Sequence, residues 1–366
     1  MFTYKIFRLI WPLSIMCLVM VGRLYDPRLT TNGFNIILVI NSLPIIFLFS
    51  YILITRKINK NFSRYFLLTI LITTYSFILF NYYGTNNIEN YSINKIIFLF
   101  SVLTPLVFYK YINGLDKNFY YALFFASFVF FIFGLSRIYG DSERMAIFGG
   151  GPIVFSRWIC IFLILCFNFI KNNIVKWTLV SLSLLLIIKA GSKAPFVFLL
   201  ISILYKYTVG LSFKTFLYGI LTFCLLYLSF DLVIQLLGSR LSSLFSLDLI
   251  DATSSVARLD RWRMAIRVFL ENPYGVGFGN YVPVSKSIEA NDFYLAEYPH
   301  NLFLELISEL GVFGVGLVFV FIFKIFKMLN NRNIKLVEKQ LLIFLFLNAM
   351  VSGDIMDSRF FILFLI

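Results

Sequence analysis

Apolar runs of roughly sixteen to twenty-five residues follow one another along most of this chain, and no other feature narrows its fold as much. A helix rises about 1.5 Å per residue, so a run of about twenty crosses the hydrocarbon of a bilayer. Hydrophobic residues make up 60% of the 366, charged residues only 14%, and mean hydropathy is +0.87. A soluble domain carries nearly twice that share of charge, about 25%. Inside a bilayer every backbone N–H and C=O must be satisfied within the protein, which leaves helices as the spanning element for runs of this kind. The reading is an all-α integral membrane protein, a multi-pass helical bundle of about 11–12 spans.

The spans fall at roughly 6–22, 33–55, 65–83, 96–111, 119–137, 153–170, 175–190, 194–209, 215–237, 301–326 and 340–352. A last run, 359–366, is too short to cross alone. The first run lacks a small-residue cleavage site and is followed by Arg23, so it reads as a span and not as a signal peptide. Two connections exceed about a dozen residues: 138–152, ending in Gly149-Gly150-Gly151-Pro152, and 238–299, by far the largest polar segment. The chain therefore reads as one polytopic domain, 1–366, with one large external loop, 238–299. The four cysteines (Cys17, Cys160, Cys166, Cys224) lie inside apolar runs at spacings that suit neither disulfides nor a metal site.

The net charge of +14 belongs to membrane topology, and no nucleic-acid partner is expected from it. With the N-terminus in the cytoplasm, inner loops collect Lys57, Lys60, Arg64, Lys110, Lys117, Lys206 and Lys214, then Lys324 through Lys339. Thirteen lysines and four arginines fall on the inner side; eleven arginines and four lysines fall on the outer side or in the outer halves of spans. Lysine suffices to hold a loop against translocation, whereas the planar arginine fork is suited to gripping phosphate or carboxylate oxygens in pairs. An arginine-rich outer face suits an anionic headgroup.

Within the large loop, residues 255–271 read as an amphipathic helix capped at Ser254-Ser255. Leu259, Trp262, Ile266, Phe269 and Leu270 form an apolar stripe fit to rest on the membrane surface or on the ends of the spans. Arg263 has Asp260 three residues before it, and Arg267 has Glu271 four after it; both suit surface ion pairs. Arg258 and Arg261 have no acidic neighbour at helical spacing and are the better phosphate ligands. Asn272-Pro273 ends the helix, and a glycine run, Gly275-Val-Gly277-Phe-Gly279, follows without the strand that a nucleotide loop requires.

His300 is the only histidine. With Asn301 it opens the run 302–326, and Gly311 and Gly314 complete the pattern His-Asn-x9-Gly-x-x-Gly. On a continuous helix Gly311, Gly314 and Gly316 form a smooth face for close packing against a neighbour. Glu305 and Glu309 sit one turn apart on the same helix, where a carboxylate costs a few kcal/mol unless it faces protein or water. Arg157, inside the sixth run, calls for a partner by the same reasoning. Lys189 and Lys193 flank Gly191-Ser192 at an outer boundary.

Four features together resemble the O-antigen polymerase and O-antigen ligase superfamily. They are the many spans with one large late external loop, Arg258-x3-Trp262 leading to Pro273-x-Gly275-x-Gly277, the His300-Asn301-x9-Gly311-x-x-Gly314 pattern, and Gly191-Ser192-Lys193. The likeness spans roughly residues 145–326, and the family usually has arginine where Lys193 stands. It implies a membrane-embedded glycosyltransferase of the C type, metal-independent and without cofactor. The donor would be a glycan on undecaprenyl pyrophosphate, and an acceptor sugar hydroxyl would attack with inversion. By that resemblance His300 is the catalytic base, and Arg258, Arg261, Lys193 and Arg157 bind the diphosphate. Asn301, Glu305, Glu309, Trp262, Gly311 and Gly314 support them. Implied partners are lipid-linked donor and acceptor, membrane lipids and a chain-length regulator protein, in the inner membrane. A polymerase adds the glycan to another lipid-linked repeat unit, a ligase to lipid A core. A lean, lysine- and asparagine-rich chain favours the polymerase. A flippase would spread its cations along a central cavity between short loops, which disfavours that rival.

Overall fold

The computed structural model describes residues 11–13, 15–16, 30–31, 34–35, 46, 60–83, 95–96, 99–138, 151–208, 249–288 and 298–365. The run expected at 215–237, and most of 6–22 and 33–55, lie outside the described residues. Twelve helices of the described residues concern the site. They are α1 (Lys60–Tyr83), α2 (Thr104–Asn113), α3 (Lys117–Ser136), α4 (Pro152–Phe169), α5 (Asn173–Ala190) and α6 (Lys193–Thr208), then α7 (Leu249–Glu271), α8 (Tyr281–Ile288), α9 (Leu302–Leu310), α10 (Val312–Asn330), α11 (Leu336–Val351) and α12 (Arg359–Leu365). A turn of π-helical geometry, Leu99–Leu103, leads into α2. A minimal antiparallel pair, Thr30–Thr31 with Phe34–Asn35, is the only strand structure described.

Five of these helices contain stretches long and apolar enough to cross a membrane: Phe62–Leu79, Lys117–Ser136, Pro152–Phe169, Asn173–Ala190 and Val312–Asn330. Leu99–Tyr111 and Ala194–Lys206 are shorter apolar helices. The protein is thus a multi-pass helical membrane protein. At the centre stands α4, buried at every position from Ile159 to Cys166. A helix that is apolar all round belongs inside a bundle, and α4 packs against α3, α5, α6 and α11. By contrast α10 turns Phe313, Phe319, Phe323 and Phe326 outward, as a lipid-facing helix does.

Helix ends follow local chemistry. Asp116 accepts from Phe119 N (2.9 Å) at the start of α3, and Asn172 accepts from Ile174 N (2.9 Å) at the start of α5. Gly191 closes α5 in the left-handed conformation. Cys160 and Cys166 are free and buried, as packing residues.

Two expectations need correcting. The run 301–326 is not one helix. Gly311, at φ 60° and ψ −137°, breaks it into α9 and α10. The outer-loop helix begins at Leu249 and runs through Ser254-Ser255, because Leu249-Ile250-Asp251-Ala252-Thr253 offers no glycine or proline to stop it.

Two contacts put the glycine loop and the C-terminal end of α1 on one side of the bundle. Tyr75 Oη donates to Tyr274 O (2.5 Å), and Phe278 N donates to Ser76 Oγ (3.1 Å). The far side carries Lys110, whose Nζ donates to Phe364 O (2.7 Å), and Lys339, whose Nζ donates to Leu329 O (2.6 Å).

Candidate functional site

The glycine loop and the His-Asn helix form a single unit. The last carbonyls of a helix have no partner within it. Here the loop supplies donors for two of them: Val276 N to Ser308 O (3.2 Å) and Gly277 N to Glu309 O (2.8 Å). In return Val312 N, at the start of α10, donates to Pro273 O (2.9 Å). Backbone lies on backbone, and only glycine fits. A Cβ on Gly275 would sit 2.4 Å from Glu309 O, and one on Gly311 would sit 2.3 Å from Pro273 O. Gly314 meets Leu306 O, where α10 crosses the end of α9, while Gly316 faces open space. The expected smooth three-glycine face is therefore absent: Gly311 and Gly314 serve the break and the loop, and Gly316 serves neither.

Asn301 caps α9, its Oδ1 accepting from Phe303 N (3.0 Å) and Leu304 N (3.2 Å). His300, just before the cap, has φ 55°, the one positive φ outside glycine among the described residues. Strained backbone of this kind persists where the surroundings hold it, and it concentrates at functional positions. The imidazole lies 4.3 Å from the Tyr298 ring, centroid to centroid. Burial, then the positive charges of Arg261 and Arg258, push its pKa down to about 4; Asp354 opposes them and Arg157 adds to them. The ring is neutral at pH 7.

On α7 the seated face is Arg261, Met264, Ala265 and Val268, spaced i, i+3, i+4, i+7. Met264, Ala265 and Val268 make a small core with Val276 and Tyr281, against which Leu304 of α9 packs. Tyr281 Oη donates to Arg261 O at 3.4 Å. Of the expected stripe, Leu259, Ile266 and Leu270 are exposed and Trp262 and Phe269 half-buried, so it does not pack on the span ends and is left free for a membrane surface. The ion pairs Arg263–Asp260 (3.2 Å) and Arg267–Glu271 (2.9 Å) form as expected, both exposed. Arg258 is half-buried and has no ion pair among the described residues; burial and Arg261 push its pKa down.

Beneath this face lies a buried charge cluster that sequence reasoning missed in part. Lys95, only 1% exposed, donates to Glu305 Oε1 and to Glu309 Oε1 (2.7 Å). Its Nζ also stands 5.3 Å above the Phe278 ring of the glycine loop. The second oxygen of Glu305 accepts from Ile355 N (3.0 Å). Ile355 belongs to the turn 352–358, whose Asp354 lies within electrostatic reach of His300, Lys95, Arg157 and Arg359. Arg359, at the start of α12, lies within electrostatic reach of Asp357 and Asp354 and so belongs to the same centre. Arg157 is held by Ser352, with Nη2 donating to its carbonyl (3.0 Å) and to its hydroxyl. Lys193 opens α6, but its side chain lies outside the described residues.

Two cavities adjoin the centre. One of about 50 Å³, lined by Arg157, Asn348, Asp357, Ser358 and Arg359, has room for a few waters. The other, about 360 Å³, runs below Phe278, Leu306 and Ile355 between α1 and α10, and ends at Arg64 and Lys324. Its walls are mostly apolar: Leu68, Ile72, Leu317 and Phe321 face it.

Fold and centre together define a class: a multi-pass helical membrane protein with one histidine set among arginines at the edge of the bundle. A protein-family model described as O-Antigen ligase matches residues 178–351, from α5 to the end of α11. The match supports the O-antigen ligase and polymerase superfamily, whose members are glycosyltransferase-like enzymes, and it does not separate the two kinds. No curated protein matches the chain.

Proposed function

We propose that this chain polymerises lipid-linked O-antigen or polysaccharide repeat units. It would transfer the glycan from undecaprenyl pyrophosphate to a sugar hydroxyl of another lipid-linked unit, inverting and metal-independent, in the inner membrane with a cytoplasmic N-terminus. The observation that carries the reading is the single imidazole, held on strained backbone directly before the α9 cap and within the field of Arg258, Arg261 and Arg157. The acceptor hydroxyl forms the new bond to the anomeric carbon while His300 takes its proton. The anomeric carbon–oxygen bond to the carrier breaks, and its electron pair leaves with the diphosphate. Arginine forks stabilise that departing charge, with Lys193 as a further proposed ligand of the diphosphate. The 360 Å³ apolar cavity suits a stretch of the carrier's hydrocarbon chain. A chain-length regulator would act from outside this centre.

Ligation to lipid A core is the second reading, favoured by the description of the matching family. The lipopolysaccharide of a strain lacking this chain decides between them. Core carrying a single repeat unit means polymerase, and bare core means ligase. An unaltered ladder overturns both.

A further inference from the structure

The charge cluster does more than balance itself. Two carboxylates share one ammonium at almost zero exposure, at a depth where each ion costs several kcal/mol to desolvate. An apolar trio of similar volume would pack as well. What the ions add is direction, because each oxygen of Glu305 has a different partner: Oε1 takes Lys95 and Oε2 takes Ile355 N. Glu305 lies one turn into α9, and the Asn301 carbonyl accepts its backbone N–H at 3.0 Å. The cluster therefore meets the first turn of the helix that begins directly after His300. It also meets the glycine loop, through Phe278, and the turn that carries Asp354.

We propose that Lys95 is a positioning residue: acting through Glu305, it clamps the first turn of α9 to the 352–358 turn and fixes His300 relative to Asp354 and the α7 arginines. Lys95 itself touches no reacting atom. The proposal rests on the reading in which His300 acts on the acceptor hydroxyl. A part of its test nevertheless works without any assumption about the reaction, because His300 is the only histidine in the chain. Histidine-labelled protein therefore gives a single pair of imidazole resonances.

Glu305→Gln is the decisive variant. An amide has one oxygen, so it accepts from Lys95 or from Ile355 N but not from both. Lys95 and Glu309 remain as a balanced pair, so folding is not at risk from an unpaired charge. The expected result is an unchanged melting temperature, kcat down about tenfold or more, and KM for the lipid-linked donor within about threefold. The imidazole resonances should move. Their titration midpoint should rise toward the ordinary histidine range as the ring loosens from Arg261, Arg258, Arg157 and Asp354, the charged groups that face it. A second variant, Lys95→Met/Glu305→Gln/Glu309→Gln, removes the buried charges altogether and should show the same pattern. If either variant folds with wild-type kcat and unmoved resonances, the cluster is only a structural ion pair and the proposal falls. If wild-type protein transfers no glycan yet its imidazole resonances move in Glu305→Gln, the clamp stands and the proposed function fails.

Discussion

Replacing Gly275 by alanine should break the clasp between the glycine loop and the end of α9. At φ 86° an L residue loses about 1–2 kcal/mol relative to glycine. The added carbon would stand 2.4 Å from Glu309 O and 2.5 Å from Gly311 N. Both are backbone atoms, so no side-chain rotation relieves the overlap, and overpacking of this kind costs about 1–3 kcal/mol. The sum is about 2–5 kcal/mol. At about 2.1 cal/mol/K of unfolding entropy per residue, a chain of 366 residues loses roughly 1.3 °C per kcal/mol, so the melting midpoint of detergent-purified protein should fall by roughly 3–7 °C. Gly316→Ala is the control. Nothing lies within 4 Å of its added carbon, and alanine in a helix interior is better than glycine by about 0.5–1 kcal/mol. Intrinsic fluorescence melting of both variants checks the argument. Equal midpoints for the two would refute the claim that loop backbone and helix end are in direct contact.

Further outcomes concern the charged groups. Arg258→Lys should lose much transfer activity at normal protein level, because a point charge does not replace a two-pronged grip, whereas Arg263→Lys, whose exposed ion pair is worth little, should be mild; comparable activities in a donor-consumption assay would undo that division. His300→Gln should be nearly as poor as His300→Ala, roughly two to four powers of ten down in rate if proton transfer is lost; retention of most activity would make His300 a binding residue. With the imidazole pKa near 4, the base form persists as the medium is acidified, so kcat/KM should stay flat from pH 7 to about 5.5. A fall through pH 6.5 would show an ordinary, solvated histidine. Cysteines at the exposed positions Arg263 and Ser287 should react with a membrane-impermeant thiol reagent in intact spheroplasts; labelling only after lysis would reverse the topology.

Much of this centre could be read from local spacing. The two ion pairs of α7 follow from intervals of three and four residues, and Asn301 reads as a cap from its place before an apolar run. Glu305 and Glu309, one turn apart at membrane depth, announced a face that must turn to protein or water. That a lysine meets them could not be read, since Lys95 lies 210 positions from Glu305 in a segment that looks like any polar loop. A lone lysine directly before Ile96-Ile97 was the available signal. The seat of α7 stayed open between membrane surface and span ends for a different reason: in a bilayer protein the outward face is also apolar, so hydrophobicity alone does not tell inside from outside. The break at Gly311 depended on a loop thirty-six residues earlier, and periodicity within one run carries no trace of it.

The long span between Lys95 and its partners bears on how the protein is made. At about 5–20 residues per second, a ribosome needs roughly 10–40 s to reach Glu305 after Lys95, and longer to reach Ile355. During that interval an ammonium destined for the interior of the bundle has neither carboxylate beside it. The nascent chain must keep it in the aqueous interface or in the shelter of the insertion machinery until α9 emerges. Assembly of the centre is therefore the closing event of biogenesis, and chains stalled before residue 305 should be cleared by membrane quality control instead of accumulating as partly active enzyme.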